Sequence, residues 1–72
     1  MNQERLVAMA NDIAAFFDSE ADKTVAVEGV RFHISRYWEP RMRRQIIAHV
    51  QNGGAGLTPT ARQAVELLEG PR

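Results

Sequence analysis

Thr24-Val25-Ala26-Val27-Glu28-Gly29-Val30-Arg31-Phe32-His33-Ile34 is the stretch on which the fold turns. It alternates well enough to be two strands around a Glu28-Gly29 turn, and its β-branched content favours that hairpin. A lone hairpin is at best marginally stable in water, however, and no other stretch supplies a third strand. On a helical wheel Val27, Val30, Ile34, Tyr37 and Trp38 share one face, so the spacing predicts a helix over residues 24–37 despite Gly29. Val25 and Phe32 then fall about 120° to 140° from the nearest edge of that stripe. A small domain has little reason to expose both, which makes them candidates for contact with a partner.

Working outward, Leu6, Met9, Ala10, Ile13, Phe16 and Phe17 recur at the three-and-four spacing of an amphipathic helix over residues 2–17. With Val7 and Ala14 the apolar arc sweeps about 180°, wider than one core requires, so one edge is free to touch something outside the fold. Residues 18–23 read as an acidic loop in which Asp22, or Thr24 beyond it, can cap the next helix. On the other side of the deciding stretch comes Trp38-Glu39-Pro40-Arg41-Met42-Arg43-Arg44. Pro40 lacks an N–H and biases Glu39 towards an extended conformation, so one helix ends near Trp38 and another begins at Pro40. That third helix covers residues 40–52 with Met42, Ile46, Ile47 and Val50 apolar, and Gly53 is placed to cap it in a left-handed conformation. After the Gly53-Gly54-Ala55-Gly56 connector, Thr58 as N-cap and Pro59 as first helical residue open a fourth helix. Its apolar face is Ala61, Ala64, Val65 and Leu68, and Gly70-Pro71 ends it. The expectation is a single all-α domain, residues 1–72, of four short helices.

Length and composition narrow the function. A core of 72 residues seldom supplies more than about 3 to 5 kcal/mol, and such chains usually rely on disulfides, a metal or association with another chain. The sequence has no cysteine and only two histidines, His33 and His49, with no carboxylate or thiol at ligand spacing, so association is the remaining support. No apolar run reaches the roughly 20 residues of a membrane span, and the first residues do not form a signal peptide, so a soluble cytoplasmic protein is expected. The nine basic residues equal the nine acidic ones, which argues against nucleic-acid binding by bulk electrostatics. Their distribution is uneven. Residues 1–28 hold six acids against two bases, whereas residues 29–50 hold five arginines against Glu39 alone. Such a molecule is polar end to end and can be oriented by a charged partner.

Arg41, Arg43 and Arg44 open the third helix, where positive charge opposes the helix dipole at about 0.3 to 1 kcal/mol each. Arg43 also projects inside the apolar arc, between Ile47 and Val50. It either snorkels to water, pairs internally with Glu39 or the acidic loop, or offers a fork for a carboxylate or phosphate at an interface. Trp38, beside Tyr37, is either an interface anchor or the plug of a four-helix core. The histidines read more simply as hydrogen-bonded residues beside apolar stripes than as ligands. No nucleophile, base and orienter stand together, and the glycine-rich connector has neither the preceding strand nor the Lys-Ser/Thr of a phosphate loop. The candidate partner-binding set is therefore Val25, Phe32, Tyr37, Trp38, Glu39, Arg41, Met42, Arg43 and Arg44. No catalytic, cofactor or metal site is expected.

In order along the chain, Leu6-Val7-Ala8-Met9-Ala10-Asn11 with Ile13 and Phe16-Phe17, Val30 and His33, Tyr37-Trp38-Glu39-Pro40-Arg41-Met42-Arg43, and His49 with Gly53-Gly54-Ala55-Gly56-Leu57 carry a resemblance. Together they resemble the delta subunit of the soluble, molybdenum-dependent, NAD-reducing formate dehydrogenases over roughly residues 5–60. The departure is Tyr37 where that family more often has phenylalanine, and the last dozen residues match loosely. The resemblance implies a non-catalytic accessory subunit that binds the large catalytic subunit and supports its assembly or stability. It also implies that molybdenum cofactor, iron–sulfur clusters and FMN reside on other subunits, which agrees with a chain lacking the thiolates that clusters require. Two other classes stay open: a helical nucleic-acid-binding module using the patch from Arg31 to Arg44, and a helical oligomer burying Val25 and Phe32 against a second copy.

Overall fold

The deciding stretch is helical. The computed structural model describes residues 2–68, in which the chain forms α1 (Gln3–Phe17), α2 (Lys23–Tyr37), α3 (Pro40–Gln51) and α4 (Pro59–Leu68). No strand occurs among the described residues. The sequence punctuates each element chemically. Asn2 caps α1 by accepting from the Arg5 N–H at 3.2 Å, and Asp22 caps α2 through the Thr24 N–H at 2.9 Å. Pro40 is the first residue of α3 behind an extended Glu39. Thr58 accepts from the Ala61 N–H at 3.3 Å to start α4 at Pro59. The predicted Gly70-Pro71 stop lies outside the described residues.

The end of α3 confirms the expected glycine cap with fuller geometry. The Gly54 N–H donates to the His49 carbonyl at 2.8 Å and the Gly53 N–H to the Val50 carbonyl at 3.0 Å, a Schellman arrangement made accessible by φ of 112° at Gly53 and 64° at Gly54.

α4 lies against all three other helices and packs most extensively on α2. The core joins Leu6, Ala10 and Ala14 of α1, Val27, Val30 and Ile34 of α2, Trp38 of the corner between α2 and α3, Ile46 and Val50 of α3, and Ala61, Ala64 and Val65 of α4. Ala26 is also fully buried. Alanine at so many contact positions lets the backbones approach closely, since interaxial distance follows the size of the side chains between helices. Trp38 is only 4% exposed. It follows the last residue of α2 in an extended conformation, φ −86° and ψ 140°, which turns the indole back into the core. One member of the expected α2 stripe departs: Tyr37 is 65% exposed. The helix ends there, so the wheel that grouped Tyr37 with Trp38 no longer governs both side chains.

Candidate partner-binding surface

α2 presents its second face to solvent, and α1 extends it. Val25 is 48% exposed and Phe32 56%, as the wheel required, and Phe16 at the edge of the wide α1 arc reaches 74%. Phe16 meets Phe17 edge-on with ring centroids 5.1 Å apart, and His33 lies 4.8 Å from Tyr37 at a tilt of 48°. Between them runs an open groove of about 640 Å³ bordered by Phe17, Val25, Gly29, Phe32, His33 and Tyr37, among others. His33 also borders a second hollow of about 370 Å³ with Asp12, Ile13 and Phe16, so its ring stands between the two on the α1–α2 side.

Gly29 gives the groove its floor. Glycine in a helix interior costs about 0.5 to 1 kcal/mol relative to alanine. Here the ring of Phe17 presses onto the α2 backbone, and a Cβ at position 29 would stand 2.4 Å from Cδ1 and 2.5 Å from Cε1 of that ring. The residue that weakened the helical reading of the sequence is thus required by a contact from α1.

The cations of this region divide by what they hold. Arg31 donates from Nε and Nη2 to Glu28 Oε1 at 2.9 and 2.7 Å, an exposed pair one helical turn apart that contributes little to stability. Arg36 sits 5.9 Å from the centroids of both Phe32 and Tyr37, in cation–π range of each. Among the described residues it has no carboxylate partner, and neither do the exposed Arg41 and Arg44. Arg43 is half-buried and occupied: Nη1 donates to the Ser35 carbonyl at 3.3 Å and to the Trp38 carbonyl. These carbonyls belong to the end of α2, where acceptors are orphaned and the dipole is negative. The corner at Pro40 therefore sets a cation that opposes the α3 dipole against the favourable end of α2. Met42 is half-buried against the core, and Glu39 is exposed and makes no side-chain cap.

Of the candidate set, the structure brings Val25, Phe32 and Tyr37 to one surface, leaves Glu39, Arg41 and Arg44 exposed at the α2–α3 corner, and folds Trp38, Met42 and Arg43 inward. Phe16, Gly29, His33 and Arg36 were missing from that set. Only Phe16 carried a usable signal, its place at the edge of an over-wide arc.

Elsewhere polar side chains serve the fold. Asn11 bridges α1 to the glycine connector, donating to the Gly56 carbonyl at 2.9 Å and accepting from the Thr58 N–H at 3.0 Å. His49 Nε2 donates to the Ala55 carbonyl at 2.8 Å, which leaves Nδ1 as acceptor for the Gln3 amide. Arg62 donates to the Gly53 carbonyl at 2.6 Å. Thr60 Oγ1 donates to Asp18 Oδ1 at 2.6 Å, and Lys23 Nζ lies 3.0 Å from the same oxygen. The threonine hydroxyl first, and the ammonium second, hold the Asp18 carboxyl below its ordinary value.

A small all-α domain with one aromatic outer face is the class that fold and surface define. The chain belongs to the family of NADH-dependent formate dehydrogenase delta subunits, FdsD, whose family model matches residues 5–65. No curated protein and no solved structure matches it. No helix among the described residues is long and apolar enough to cross a membrane.

Proposed function

We propose that this chain is a non-catalytic accessory subunit of a cytoplasmic NAD-dependent formate dehydrogenase, binding the large catalytic subunit and supporting its assembly or stability. The observation that carries this reading is the family match across residues 5–65. The small core and the exposed aromatic face support it, because a partner that binds only the folded chain stabilises it by mass action. Molybdenum cofactor, iron–sulfur clusters and FMN belong to other subunits in this reading, since cluster ligation draws on cysteine thiolates and this sequence has none. Within the set proposed to face the partner, Val25, Phe32 and Tyr37 make contact and Arg41 and Arg44 supply charge. Trp38, Met42 and Arg43 hold the corner that presents them.

The test is purification of the complex from the native host with and without this chain. Co-elution with the large subunit, a lower yield of assembled complex on deletion, and unchanged formate oxidation per assembled complex are expected. Failure to co-elute, or lost turnover in complexes that assemble fully without the chain, would contradict the reading.

A further inference from the structure

We propose that the α1–α2 groove is the docking surface, and that its occupant is the apolar ridge of a helix on the catalytic subunit bearing a carboxylate that seats on Arg36. This deepens the accessory-subunit reading and rests on it. The first ground is clustering. Among the described residues the exposed large apolar side chains are Phe16, Val25, Phe32, Tyr37 and Leu67; Val25, Phe32 and Tyr37 line the groove, and Phe16 lines the adjoining hollow that shares His33 with it. Scattered exposed apolar residues need no explanation, whereas a contiguous patch marks an interaction site.

The second ground is shape. The groove is shallow and open to solvent, lined by side chains of α2 and by the Phe17 ring that Gly29 admits. A helix laid into such a channel inserts side chains at i, i+3, i+4 and i+7. A second copy fits less well, because a two-fold contact opposes the same surface to itself, groove to groove, and leaves the channel unfilled.

The third ground is charge. At the α2 C-terminal end Arg36 lies over the rings of Phe32 and Tyr37, which themselves border the groove, and has no carboxylate among the described residues, whereas Arg31, which lines the groove directly, is already paired with Glu28. A guanidinium already positioned by two rings loses little side-chain freedom on taking a carboxylate, and its planar fork suits that group. Arg41 and Arg44 lie just beyond in sequence and add to the positive potential that would steer an acidic segment there. At the opposite end the exposed Glu20 borders the groove, so the partner helix has a defined direction, with its carboxylate towards Tyr37.

The experiment measures affinity of the purified chain for the purified catalytic subunit, with unfolding of each variant followed separately. Phe32→Asp is expected to weaken binding by about 30-fold or more, as for an interface hot spot. Arg36→Glu should weaken it by about 10-fold and flatten its salt dependence. Leu67→Asp, away from the groove, should bind as the parent does. All three should unfold near the parent, since these side chains are exposed. A benzophenone side chain introduced at Phe32 should cross-link to a catalytic-subunit peptide that is amphipathic and contains Asp or Glu. Parental affinity for both groove variants overturns the groove as docking surface and leaves the accessory role standing. A cross-linked peptide without an acidic residue overturns the Arg36 contact. A self-association that Phe32→Asp abolishes, with catalytic-subunit affinity unchanged, assigns the groove to a second copy and overturns the proposal. No binding by the parent chain contradicts the accessory reading itself.

Discussion

The connection between α3 and α4 and the outer face of α1 and α2 both carry residues of the family resemblance, yet they behave oppositely. At the connection, side chains from three helices turn inward onto backbone: Asn11 onto Gly56 and Thr58, His49 onto Ala55, Arg62 onto Gly53. On the outer face, Phe16, Phe32 and Tyr37 stand in solvent and Arg36 lies over rings rather than against a carboxylate. The difference teaches how to separate fold from function inside one motif. A distinctive residue whose polar atoms are taken up by its own backbone is explained by folding, and a large apolar residue with nothing over it is not.

The largest test of that division substitutes one aromatic from each side. Trp38→Ala should cost about 3 to 5 kcal/mol, comparable with the whole stability of so small a core, and abolish a cooperative urea transition by circular dichroism. Phe32→Ala should move the same transition by no more than about 0.5 kcal/mol. Asn11→Ala leaves the Gly56 carbonyl and the Thr58 N–H without their side-chain partner and should cost about 2 kcal/mol. Arg43→Ala should cost about 1.5 kcal/mol by releasing the α2 carbonyls, while Arg41→Ala and Arg44→Ala leave the midpoint almost unmoved.

Gly29 and Phe17 offer a sharper comparison, because the same substitution should change in value with its neighbour. Gly29→Ala made alone forces the Phe17 ring to move. Made in a Phe17→Ala background it gains the ordinary helix preference, so a double-mutant cycle should show coupling of about 1 kcal/mol or more. The smallest effect is on pH. The folded Asp18 carboxyl titrates below its ordinary 3.8, so its contribution is present above that value and is lost as pH falls through the lower folded one. Asp18→Asn should therefore reduce the acid-side fall in melting temperature and leave stability near neutrality less dependent on Thr60 and Lys23.

Much of the fold was legible because the boundaries are chemical. Asp22, Thr58-Pro59 and Gly53 each announce an end through a local hydrogen-bonding or backbone requirement, and Pro40 forces the corner, whereas the reading over residues 2–17 took Asn2 as helical when it is the cap before Gln3. The deciding stretch was legible only by exclusion, for want of a third strand. What stayed hidden depends on contacts distant in sequence. The reason for Gly29 is a ring on α1, the acceptors of Arg43 are carbonyls at the end of another helix, and the partners of Asn11 lie more than forty residues away. The exposure of Val25 and Phe32 followed from the wheel alone, but their union with Phe16 and Arg36 required knowing how α1 crosses α2.

The central claim is that the outer face of α1 and α2 is covered by the catalytic subunit while the glycine connection is not. Hydroxyl-radical footprinting of the free chain and of the assembled complex reads side-chain exposure directly. Phe16, Phe32, His33 and Tyr37 should lose reactivity on assembly, with Leu67 and His49 unchanged. Protection of Leu67 and His49, with the four groove residues as reactive as in the free chain, would contradict the account.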